Sequence, residues 1–181
     1  MNPSLATLQD LLKTADLPEL GPRARADRTP ESELHRKLDA ALHELEAPRS
    51  DLIRALVLLW HDHLDAAHEI AQRIETPDGS FLHGIMHRRE PDYANAKYWF
   101  RRVGDHPCFG ELARRARVLL NGAGDAPLRQ KLISDGHWSA FAFIDACEAE
   151  GGHPGTDRAK LLRELQKIEF ELLLEHLATS R

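Results

Sequence analysis

Between residues 50 and 60 the chain reads SDLIRALVLLW. Leu52, Leu56 and Leu59 form one stripe at helical spacing, and Ile53, Val57 and Trp60 form a second beside it. Two adjacent apolar stripes leave a helix almost no polar face, so this segment has to lie at the centre of whatever the chain builds. Elsewhere β-branched residues are too few and too scattered to make a sheet, while the apolar period stays helical. The fold class that follows is all-α, an irregular helical bundle.

Start and stop signals divide the chain. An amphipathic helix is expected over residues 4–14, followed by a connector rich in Pro, Gly and Arg, so residues 1–29 read as a helix plus linker and 30–181 as a single α-helical domain. Thr29, Ser50 and Asp62 are expected N-caps, with Pro30 in the first turn of a helix that Pro48 ends. Thr76-Pro77-Asp78-Gly79 reads as a turn between helices at 63–75 and 80–89. Further helices are expected over 92–103, 109–120, 126–135, 139–150 and 157–178, with Gly104, the Asn121-Gly122-Ala123-Gly124 loop and a Gly-rich loop at 151–155 between them.

Composition excludes several classes. The 181 residues, 42% hydrophobic and 29% charged, suit an ordinary globular chain with a core of its own. No apolar run reaches the roughly 18 residues of a membrane span. Asp10, Asp16 and Glu19 stand where a signal peptide would be basic and then apolar, so a cytoplasmic protein is expected, with no membrane partner. Cys108 and Cys147 lie 39 positions apart without ligand spacing and are expected to be free thiols. A net charge of −5 speaks against a nucleic-acid partner, although residues 81–119 carry eight Lys and Arg against four Asp and Glu, a local +4 suited to an anion.

Six of the eleven histidines, His61, His63, His68, His83, His87 and His106, fall within residues 60–107 among helix-patterned positions. Imidazoles inside a core pattern need partners, so they mark either a site or an internal polar network. His83 and His87 stand at i and i+4 on one helical face, and His68 on the preceding helix can meet the same seam. These three are the candidate ligands for a divalent metal, which is the cofactor the sequence suggests. Asp65, Gln72 and Glu90 are the expected supporting residues. Arg88 and Arg102 would hold an anionic group, and Tyr98 with Trp99 would form a stacking wall. His68-Glu69-Ile70-Ala71-Gln72 lacks the second histidine of the zinc-protease motif, and Asp65-x-x-His68 is a single copy where a di-iron bundle needs two.

Residues 82–107, LHGIMHRREPDYANAKYWFRRVGDHP, resemble a tetratricopeptide-type repeat: Gly84 takes the small position of the first helix, while Tyr93, Ala96, Phe100 and Val103 fit the second. Residues 55–77 match more weakly through Leu64, Ala67, Ala71 and Ile74. Ala67 and Ala96 are 29 apart instead of about 34, which makes this a degenerate relative of that repeat. From Trp60 onward the blocks WHDHLDAAHEIAQ, the repeat segment itself, WSAFAFIDACE and LLRELQKIEFELLLEHL resemble a family of uncharacterised bacterial and fungal α-helical proteins. That resemblance implies the fold and the place of the site, and carries no activity with it.

Three functions therefore stay open: a protein binding a small polar or anionic ligand or a protein partner at the His68/His83/His87 seam, an enzyme using the same histidines as metal ligands or as acid and base, and an interaction scaffold whose histidines form a satisfied network.

Overall fold

The computed structural model describes residues 5–179. Among them are ten α-helices and one short hairpin: α1 (Leu5–Asp10), α2 (Glu31–Leu42), α3 (Arg49–Trp60), α4 (Leu64–Ala71), α5 (Pro77–Arg89), α6 (Tyr93–Val103), α7 (Cys108–Ala123), α8 (Ala126–Leu132), β1 (Ile133–Ser134), β2 (His137–Trp138), α9 (Ala140–Glu150) and α10 (Asp157–Thr179). The fold is all-α, as the periodicity requires. None of these helices is long and apolar enough to cross a membrane.

α3 is central: Leu52, Ile53 and every residue from Ala55 to Trp60 are buried. α5 is a second centre of a different kind. It is buried from Gly79 to Arg89 yet includes Ser80, His83, His87, Arg88 and Arg89, and it packs against α3, α4, α6 and α9. Buried cations require partners. The Arg88 guanidinium sits 2.5 Å from Glu169 on α10, both side chains fully enclosed, with Gln166 at 3.4 Å. Arg89 meets Asp62 at 2.7 Å and donates to the Leu59 carbonyl.

Asp62 does not cap α4, since its backbone turns at φ 65° and its carboxylate is taken by Arg89 and by Arg25, whose Nε lies 2.7 Å away. Arg25 also donates to the Trp60 carbonyl, which ties the connector at 11–30 to the end of α3. His61 donates from Nε2 to the Leu11 carbonyl and His63 to that of Thr29, each at 2.8 Å. Leu8, Leu12 and Leu20 join the same buried cluster as α3, so the N-terminal segment shares the core of the rest.

Other boundaries differ from expectation for local reasons. The helix expected at 4–14 begins on Ser4, outside the described residues, and α1 ends at Asp10. Pro30 occupies the N-cap position expected for Thr29, and α3 starts at Arg49, one residue before Ser50. Thr76-Pro77-Asp78-Gly79 opens α5: Thr76 Oγ1 accepts the Gly79 N–H at 3.1 Å and Pro77 takes the first turn. Beyond α8, Asp135-Gly136 turns with φ 50° and 85° into an antiparallel pairing of β1 with β2, where a helix to 135 was expected.

α5 and α6 approach closely at Gly84, where a Cβ would fall 2.6 Å from two carbons of the Phe100 ring. Asp92 caps α6 by accepting the Asn95 N–H, and Gly104 closes it. This contact fixes how α6 lies across the histidines of α5.

Candidate functional site

His68 comes from the last turn of α4, and His83 and His87 stand one turn apart on α5. The two α5 rings are parallel, with centroids 5.0 Å apart and 6° between planes. His68 meets both edge-on, at 5.0 and 5.4 Å. His83 Nε2 lies 3.3 Å from His68 Nε2, and one ring nitrogen of each of the three histidines falls within 4.8 Å of the others. His83 and His87 are buried, whereas 35% of the His68 side chain is exposed and gives the cluster its contact with solvent.

Which nitrogens face inward depends on Glu90, the residue that closes α5. Its carboxylate lies 3.0 Å from His87 Nδ1 and, at ionic rather than hydrogen-bonding distance, 3.6 Å from His68 Nδ1. The carboxylate holds a proton on His87 Nδ1, while the His68 ring presents Nε2 to Nε2 of His83. Burial, reinforced by the neighbouring imidazoles His87 and His68, pushes the pKa of His83 down to about 4. Burial likewise lowers that of His87, against the pull of Glu90. Both rings are thus uncharged at neutral pH, the form that ligates a metal.

α6 supplies a wall. Trp99 lies parallel to His83 with centroids 4.1 Å apart, and the Arg102 guanidinium sits 5.4 Å from the Trp99 centroid. Tyr98 is edge-on to Trp99 and 45% exposed. The Asn95 amide nitrogen is 3.2 Å from His87 Nε2 and 3.4 Å from Nδ1. An approach along one lone pair would leave the other nitrogen much farther away, so the amide lies over the ring face and leaves the Nε2 lone pair clear.

The expected site residues therefore divide. His68, His83, His87 and Glu90 come together, with Tyr98 and Arg102 at the rim. Arg88 is not among them: its guanidinium points to α10 and is committed to Glu169 and Gln166, so no anion can reach it. Asp65 on α4 and Gln72 just after it are exposed, and Glu90 is the carboxylate that meets the rings. Asn95 was not anticipated. The signal for it is its spacing with Trp99 and Arg102 at i, i+4 and i+7, a polar and aromatic stripe beside the packing stripe of Ala96, Phe100 and Val103.

His106 belongs to a second cluster, with Asp78 at the start of α5 and His176 on α10. Asp78 Oδ1 is 2.8 Å from His106 Nε2 and 3.1 Å from His176 Nε2. The Cys108 backbone N–H donates to His106 Nδ1 at 3.2 Å, which fixes the His106 proton on Nε2. A metal at that Nε2 would force the proton onto Nδ1, against a backbone donor that cannot turn away. This cluster is a closed hydrogen-bond network. Burial pushes the thiols of Cys108 and Cys147 up to about 12, so neither is a nucleophile near neutral pH.

Four cavities of the structure lie elsewhere: beside His106 and Trp138, between α1 and α10, against the 19–23 connector, and under Phe141. None of these four is lined by His68, His83 or His87. Compared with protein-family models, curated proteins and solved structures, the chain matches none.

Proposed function

We propose that the protein binds a divalent transition metal, zinc foremost, through Nε2 of His68, His83 and His87, and offers the remaining coordination position to a small polar or anionic ligand. The observation that carries this reading is the 3.3 Å separation of the His68 and His83 Nε2 atoms. Two nitrogens bound tetrahedrally at the usual zinc distance of about 2.0–2.1 Å stand about 3.3–3.4 Å apart. Without metal the same contact is an N–H···N hydrogen bond between the two rings, its direction set by their tautomers. With metal on both Nε2 atoms, the donor's proton leaves Nε2 for its own Nδ1. Glu90 serves as the outer carboxylate that orients ligating imidazoles in histidine metal sites.

A closed four-ligand structural site is not what these residues offer, since three imidazoles leave a position free. We also read the α5–α6 pair as tetratricopeptide-like in lineage, on the strength of Gly84 seated against Phe100. The free, buried cysteines support a reducing, cytoplasmic setting.

The test is metal content and affinity of untagged protein beside the His83→Ala and His87→Ala variants. One equivalent of zinc or cobalt is expected on the parent, with affinity reduced at least about 100-fold in either variant. Equal binding by parent and variants would place the metal elsewhere and sink the proposal.

A further inference from the structure

The position left open by three imidazoles is next to one side chain with hydrogen-bonding groups to spare. The Asn95 amide rests over the His87 ring, 3.2 Å from the nitrogen that would ligate, without blocking its lone pair. Its backbone N–H is already used by the Asp92 cap, so the helix fixes where the side chain begins. A ligand on the metal would sit beside this amide, on the α6 side of the cluster. Trp99 closes the His83 side, and Arg102 above Trp99 adds positive charge to the same face of α6.

We infer that Asn95 is the positioning residue for the fourth ligand, donating an amide N–H to an exchangeable anionic ligand on the metal, such as hydroxide, a carboxylate oxygen or a small linear anion. This rests on the three-histidine metal site proposed above. The chemistry favours an anion for three reasons. The metal with three neutral imidazoles keeps its positive charge, the amide presents N–H donors, and the Glu90 carboxylate is engaged at Nδ1 of His87.

The experiment uses the full chain loaded with Co(II), whose visible absorption reports coordination, and azide as the probe. Azide should shift the cobalt bands of the parent with a measurable Kd. Measured on cobalt-loaded protein, Asn95→Ala should bind azide about tenfold more weakly than the parent, the loss of one hydrogen bond to a charged acceptor. Asn95→Asp should abolish the azide response, because a carboxylate there repels the anion or takes the fourth position itself. An azide Kd unchanged in Asn95→Ala overturns the inference and leaves the metal site standing. A cobalt spectrum that His83→Ala does not alter overturns the metal site and this inference with it.

Discussion

Replacing Gly84 with alanine would place a methyl carbon 2.6 Å from Cδ2 and Cε2 of Phe100 and 3.3 Å from Cγ. Carbon atoms pack best at about 3.5–4.0 Å, so the overlap is about 1 Å. The ring cannot swing aside cheaply: Phe100 is 5% exposed and lies edge-on to Phe81 with centroids 5.4 Å apart. The helices must therefore part or Phe100 must leave its rotamer, an overpacking cost of about 1–3 kcal/mol. Against this, alanine in a helix interior is favoured over glycine by about 0.8–1.0 kcal/mol. The net expectation is a loss of about 0–2 kcal/mol in urea denaturation, with Tm lower by up to about 8 °C for a chain of this size. Because the same helix pair lays Trp99 on His83, cobalt affinity should fall as well. The double variant Gly84→Ala/Phe100→Leu should recover most of the stability. A Gly84→Ala protein more stable than its parent by the full helix-propensity gain of about 0.8–1.0 kcal/mol would show that α5 and α6 do not touch as described.

Two further outcomes follow from buried charge and from titration. Glu169→Ala leaves Arg88 uncompensated between α5 and α10 and should cost about 3–5 kcal/mol in chemical denaturation, whereas Arg88→Met/Glu169→Leu should be much closer to the parent; equal losses would contradict the pairing. Burial lowers the pKa of His61 despite the opposing bond to Leu11, so the unfolded chain takes up its proton first. The stability His61 contributes is whole above about pH 6.5 and is lost as pH falls from there toward the lowered folded value, by at most about 1.4 kcal/mol per unit. His61→Gln, whose amide can still donate to Leu11, should make the stability difference between pH 7.5 and 5.5 smaller; an unchanged difference would remove His61 from the titration.

Much of the helical frame could be read from the sequence because its signals are local. Asp92 and Gly104 delimit α6, Ser139 caps α9, and the double stripe of α3 states its own burial. Errors arose where one signal has two meanings. Thr-Pro-x-Gly suits a turn and a capped helix start alike, and only the Gly79 N–H bond to Thr76 decides between them. Asp135-Gly136 is a hairpin signal, but strands of two residues have no period to accompany it. At the site, the His83/His87 pair and its meeting with His68 follow from helical spacing. The fate of Arg88 does not, since its partner Glu169 is 81 positions away and nothing near either residue marks the pair as buried.

The two histidine clusters have similar ingredients and differ in which nitrogen the surrounding protein occupies. In the Asp78 cluster a backbone N–H fills His106 Nδ1 and the carboxylate takes Nε2, so every inward lone pair of that ring is spent. In the α4–α5 cluster the carboxylate stands outside, at Nδ1, and the Nε2 atoms of His68 and His83 meet. One polar atom there has no partner: His83 Nδ1 is enclosed without a hydrogen bond. An unpaired buried group costs about 1–3 kcal/mol, a cost that His61 Nδ1, Arg88 Nε and Arg89 Nε carry as well. A metal on Nε2 at a hundredfold excess over its Kd stabilises the folded chain by about 2.7 kcal/mol, the same order as that penalty. The unpaired nitrogen is thus intelligible as the cost of keeping His83 parallel to Trp99 and His87, in the one orientation that turns its other nitrogen toward His68.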